Sequence, residues 1–150
     1  MKATVLLLAI IGFLAPLSLA SAQALDLMMS EEPKPGEVNQ EVRSEEVAKQ
    51  LKGTTNTVLV YAEGLCCPSC SSGVKKHVGE LAFVKETEDK SSVQIDAKHQ
   101  LVRIEIKPRS KIDMKALSKA LDEAGYPAIH LYSLKKGKVV TEMFATVSKS

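Results

Sequence analysis

Between Thr57 and Phe144 the apolar positions fall into blocks whose period switches between two and nearly four. "TVLVYAE" (57–63) is an unbroken β-branched and apolar run, the pattern of a buried strand, and it leads directly into Gly64. After a cysteine-rich loop, Val74, Val78 and Leu81 recur at i, i+4 and i+7, one face of a helix that begins near Cys70. "SVQID" places Val93 and Ile95 on one face, and "LVRIEI" does the same with Val102, Ile104 and Ile106; the polar "AKHQ" between them suits a hairpin turn. Pro108 stops the second of these strands. Asp113 then caps a second helix whose Leu117, Ala120, Leu121 and Ala124 share a face, and Gly125 stands where a left-handed helix end is needed. "PAIHLY" reads as a fourth strand, "KVVTEMF" as an additional C-terminal edge strand, and "TVSKS" as a fraying tail.

The order β-α-β-β-α-β predicts an α+β, ferredoxin-like sandwich with two helices on one face of a four-stranded antiparallel sheet. No internal repeat is visible. Upstream of this block, residues 1–24 begin with one Lys, continue with an apolar run broken at Pro16, and end in small residues that offer Ala-x-Ala cleavage sites. That is the pattern of a secretory signal peptide, with cleavage expected after Ala24. Residues 25–55 contain "EEPKPGEVNQE" and few large apolar side chains, which predicts a flexible acidic leader with a helical turn or two near Glu45 to Leu51. The expected organisation is therefore signal peptide 1–24, leader 25–55, domain 56–134 and C-terminal extension 135–150. Because no second long apolar run follows the signal, the expected product is periplasmic and does not insert into the membrane after cleavage.

Charge refines this only slightly. From Leu25 to Gln50 there are 7 acidic and 3 basic residues, against 11 acidic and 16 basic from Leu51 to Ser150. A lysine excess of this size, without interleaved aromatics, is a solvated surface, so no nucleic-acid partner is expected. The chain has 3 cysteines and no tryptophan. All the cysteines fall within five positions of "GLCCPSC". Three cannot pair completely, and such close spacing closes no long loop, so a structural disulfide framework is not expected.

Cys67-Pro68-Ser69-Cys70 is a C-x-x-C at a strand-to-helix junction, where both sulfurs can approach one small ion. The helix N-terminus beside Cys70 favours thiolate over thiol. Two thiolates without a carboxylate or imidazole cage suit a soft ion that accepts low coordination, Cu(I) or Hg(II), one per domain; Zn(II) and Cd(II) fit less well because four ligands are not apparent. Cys66 stands as a candidate third ligand, although adjacent residues in extended chain point opposite ways. His77, His99 and His130 are assigned no site, and the Met28-Met29 pair carries no copper argument because the two side chains point in different directions.

"GLCCPSC", the strand before it, the helix after it and "LDEAGYPA" near the end together resemble the heavy-metal-associated domain family. The resemblance covers roughly 57–132. It implies that Cys67 and Cys70 are the metal ligands, that Gly64 opens the loop, and that Tyr126 stands near the site and shields the ion from water; a Tyr126 that simply fills the core fits equally well. Leu65 replaces the family's usual Met beneath the loop, a swap that conserves volume. The stretch "AFVKETEDKSS" is longer than the family usually has. The expected function is a non-enzymatic metallochaperone or scavenger that passes its ion to a membrane metal transporter or another metal-binding protein. A thiol-disulfide oxidoreductase using the same C-x-x-C is the alternative, and a sensory module whose docking follows metal occupancy is a third.

Overall fold

The computed structural model describes residues 38–66, 71–88 and 91–145. The expected signal peptide, the Met28-Met29 pair, Cys67, Cys70 and the terminal "TVSKS" lie outside the described residues. The elements in chain order are α1 (Gln40–Leu51), β1 (Thr57–Ala62), α2 (Ser71–Gly79), β2 (Val93–Asp96), β3 (Leu101–Glu105), α3 (Met114–Glu123), β4 (Ala128–Lys135) and β5 (Lys138–Met143). The strands form one antiparallel sheet in the order β2-β3-β1-β4-β5. The first four strands have the ferredoxin-like arrangement, and β5 is the expected extra edge strand.

Side-chain alternation along β1 divides the core in two. Val58, Val60 and Ala62 face α2 and α3, where they meet Val74, Val78, Leu117 and Leu121. Leu59 and Tyr61 point the other way, into a cluster with Leu101, Tyr132, Val47 and Leu51. An apolar run without alternation is what a strand covered on both faces requires.

The cover on the second face is α1, a longer helix than the turn or two expected near Glu45 to Leu51; residues 25–37 of the expected leader lie outside the described residues. Asn39 caps the helix, its side-chain oxygen accepting from the Glu41 amide at 2.8 Å. Arg43, Val47 and Leu51 form the buried stripe of this 12-residue helix. Burial of Leu59 and Tyr61 against that stripe stabilises the helix far more than its own mostly polar sequence would.

The long connection after α2 also joins the sheet. Val84 forms a bridge with Ile106, Lys85 donates to the Glu105 carbonyl at 2.9 Å, and the Phe83 carbonyl accepts from Lys107 at 2.9 Å. Phe83 and Val84 are buried, so the extra residues extend the sheet margin beyond β2. Among the described residues no helix is long and apolar enough to cross a membrane.

Candidate metal-binding loop

The loop begins where β1 loses its regular register, between Tyr61 and Ala62. Two turns hold the chain there. The Ala62 amide donates to the Gln100 carbonyl at 3.1 Å, and the Glu63 amide donates to the Pro127 carbonyl at 3.0 Å. Gly64 then adopts φ +80°, a left-handed conformation that a side chain would strain, although a Cβ there would meet nothing within 4 Å. The glycine is needed for the turn, not for space. Leu65 follows with no exposure, packed among the residues beneath α2 and α3, and Cys66 is exposed. Consecutive side chains therefore point inward and outward, as extended backbone requires.

On the far side of the cysteines, Ser71 opens α2, whose first turn carries no acidic residue that would oppose a thiolate there. Val74 and Val78 hold this helix in the core with no exposure. Gly73 lies against α3, and a Cβ added to it would stand 4.0 Å from the Cβ of Ala124. The end of α3 thus sits beside the start of α2.

That end is a Schellman turn. Gly125 at φ +90° donates to the Asp122 carbonyl at 2.9 Å and Tyr126 donates to the Leu121 carbonyl at 2.9 Å. Tyr126 is half-buried and packs against the same core as Leu65. Its neighbour Pro127 receives the Glu63 amide, so the turn that carries Tyr126 is fastened to the entrance of the loop. The structure therefore brings together Gly64, Leu65, Cys66 and the Tyr126 turn, and it anchors the strand and helix that flank Cys67 and Cys70.

The three histidines are engaged elsewhere. His77 Nδ1 lies 3.5 Å from Glu123 Oε2, joining α2 to α3. His99 Nδ1 lies 2.7 Å from Asp96 Oδ2. His130 stacks on Tyr61 and meets Tyr132 at a tilt.

Residues 59–127 match the sequence model of the heavy-metal-associated domain. The chain carries a heavy-metal-associated domain. The match opens within β1 and closes at Pro127, so it contains the cysteine loop and the Tyr126 turn and leaves α1 and β5 outside. A metal-binding role comes with this family. No curated protein matches the chain.

Solved structures similar to it include "CopZ metallochaperone", at 19% identity and TM-score 0.40, covering 49% of this chain and 98% of that one. Another is oxidized MerP from Ralstonia metallidurans CH34, at 25% identity and TM-score 0.39, covering 50% of this chain and 94% of that one. The matched segment 59–127 is flanked by α1 before it and by β5 after it. Of these, β5 was legible as the apolar and β-branched run "KVVTEMF", and α1 in part, as the helical turn or two expected near Glu45 to Leu51.

Proposed function

We propose that this protein is a periplasmic carrier that holds one soft ion, Cu(I) or Hg(II), between the thiolates of Cys67 and Cys70 and delivers it to a partner. The observation that carries this reading is the construction of the loop inside the heavy-metal-associated segment: Leu65 is locked in the core, Cys66 is exposed, and α2 starts immediately after Cys70. The chain is anchored on both sides of Cys67 and Cys70, and a helix N-terminus favours thiolate over thiol.

Transfer follows from low coordination. A partner thiolate adds to the ion before Cys67 or Cys70 leaves, so no free ion is released and no bond is made or broken apart from metal–sulfur bonds. The exposed Cys66 offers a third sulfur for the intermediate. The Tyr126 turn is fastened to the entrance of the loop, where the Glu63 amide donates to the Pro127 carbonyl. The partner is a membrane metal transporter or a second metal-binding protein, and no catalytic step is required of the chain.

The test is anaerobic competition for Cu(I) and Hg(II) against chromophoric chelators. Stoichiometric binding that disappears in Cys67→Ser and Cys70→Ser and weakens in Cys66→Ser is the expected result. Failure to bind either ion, together with rapid disulfide exchange by the same cysteines, would replace the carrier with a thiol-disulfide oxidoreductase.

A further inference from the structure

On the sheet face covered by α1, donor atoms from three separate elements converge. They belong to Glu46 in α1, Asp96 at the end of β2 and His99 in the turn before β3, and one from each lies within 4.8 Å of the others. Asp96 Oδ2 is 2.7 Å from His99 Nδ1, and its Oδ1 accepts from the His99 amide at 3.2 Å. The Gln50 amide group donates to Glu46 Oε1 and to Asp96 Oδ2, each at 2.9 Å. The side chains of Glu46, Asp96 and His99 retain only 18%, 24% and 14% exposure.

The electrostatics leave a cation wanting. Gln50 and then Lys49 hold the Glu46 carboxyl below its usual range against the cost of burial. Burial raises Asp96, and the side-chain and backbone hydrogen bonds of His99 more than offset it, so this carboxyl is lowered as well. Two carboxylates therefore stand side by side, each partly buried. Facing them are a histidine that is charged only when protonated and the Lys49 ammonium, which is 78% exposed.

Two carboxylate oxygens and one imidazole nitrogen form a donor set for a borderline divalent ion, in contrast to the sulfur ligands of the cysteine loop. The residual exposure leaves room for water in a fourth position. We propose that Glu46, Asp96 and His99 form a second, sulfur-free site for a divalent cation of the zinc class. Binding exchanges the Asp96–His99 hydrogen bond for two metal bonds. It also ties α1, which lies outside the heavy-metal-associated segment, to the β2–β3 hairpin.

The probe is Zn(II) alone, with Co(II) as its spectroscopic substitute, on the full chain carrying Cys66→Ser, Cys67→Ser and Cys70→Ser. One equivalent of Zn(II) is expected to bind, to raise the thermal midpoint and to slow amide exchange in α1. Co(II) should show d–d bands without thiolate charge transfer. Asp96→Asn and His99→Gln should each weaken binding at least ~10-fold. Gln50→Ala loosens the same helix without removing a ligand, so Zn(II) affinity kept within a few-fold supports the site. A loss in Gln50→Ala equal to that in His99→Gln would reduce the cluster to a helix-docking network. No Zn(II) binding by the cysteine-free chain, or binding that survives His99→Gln and Asp96→Asn, would overturn the proposal.

Discussion

The guanidinium carbon of Arg43 lies 3.4 Å from the centroid of the Tyr61 ring. Arg43 is only 3% exposed, and its Nη2 donates to the Val38 carbonyl at 2.6 Å. A cation taken this far from water is stabilised by the ring face and by its hydrogen bonds, and its aliphatic stem fills space between α1 and the sheet. Arg43→Ala should therefore lower unfolding stability by about 2–3 kcal/mol in urea titrations. Arg43→Lys should recover only part of the loss, because an ammonium cannot both lie flat on the ring and reach Val38. An unchanged midpoint in Arg43→Ala would show that Val47 and Leu51 alone dock α1.

His130 sets an acid limit on the same face. Its ring centroid is 6.1 Å from that of Tyr61 and 6.0 Å from that of Tyr132, and its Nδ1 is buried without a hydrogen-bond partner. Burial first, and then the positive charge of Arg43, push its pKa below 6.5. The groups that face it are Arg43 from α1, Tyr61 from β1 and Tyr132 from β4; its β5 neighbour Met143 carries no charge. The unfolded chain thus takes up a proton more readily than the folded one. The contribution of His130 is complete above pH 6.5 and declines as the pH falls through that value toward the lower folded-state pKa. Denaturant titrations across this window should show stability falling with pH, and His130→Phe, which keeps a stacked ring, should flatten the fall. Parallel curves for the two proteins would assign the effect to other groups.

What could be read from the sequence followed the periodicity. Val102, Ile104 and Ile106 alternate cleanly, Leu117 and Leu121 repeat by helical turns, and Asp113 and Gly125 mark the ends of α3, so each element came with its own boundary signal. Beyond the turn or two read near Glu45 to Leu51, the extent of α1 escaped because one of its three buried positions is Arg43, which any hydropathy pattern counts as surface. The clearest sign of it was elsewhere, in the uninterrupted apolar run of β1, which has two faces to cover. For the loop, Gly64, Leu65 and Cys66 were legible because each has one dominant requirement: turn, burial and exposure. The Glu46–Asp96–His99 cluster was not legible, since its members are distant in sequence and meet only after α1 docks.

Glycines near the loop separate conformational from steric demand. Gly64 needs φ +80° in open space, and Gly73 lies in α2 with a Cβ position in ordinary contact with Ala124. Gly64→Ala should cost roughly 1 kcal/mol or more, because alanine resists the left-handed region. Gly73→Ala should be neutral or stabilise by up to about 1 kcal/mol, since alanine lowers the entropy lost on forming a helix. Thermal unfolding of the two variants should move in opposite directions; a shared loss would mean that the α2–α3 contact has no room for a methyl group.

Leu65 links stability to metal affinity. It has no exposure and packs in one cluster with Val74, Val78 and Leu121, so Leu65→Ala would leave a cavity in the core next to Cys66 in sequence and should cost about 2–5 kcal/mol. Leu65→Met changes shape at nearly constant volume and should cost less than about 1.5 kcal/mol. If Leu65 fixes the loop, the two variants should also differ in Cu(I) competition, with Leu65→Ala weakened and Leu65→Met close to the parent under conditions where both remain folded. Each thiolate loses little by moving alone, but binding requires both sulfurs at once, so a loop free to wander must be ordered by the ion itself. Equal Cu(I) affinity in folded Leu65→Ala would instead place the ordering in the helix start at α2.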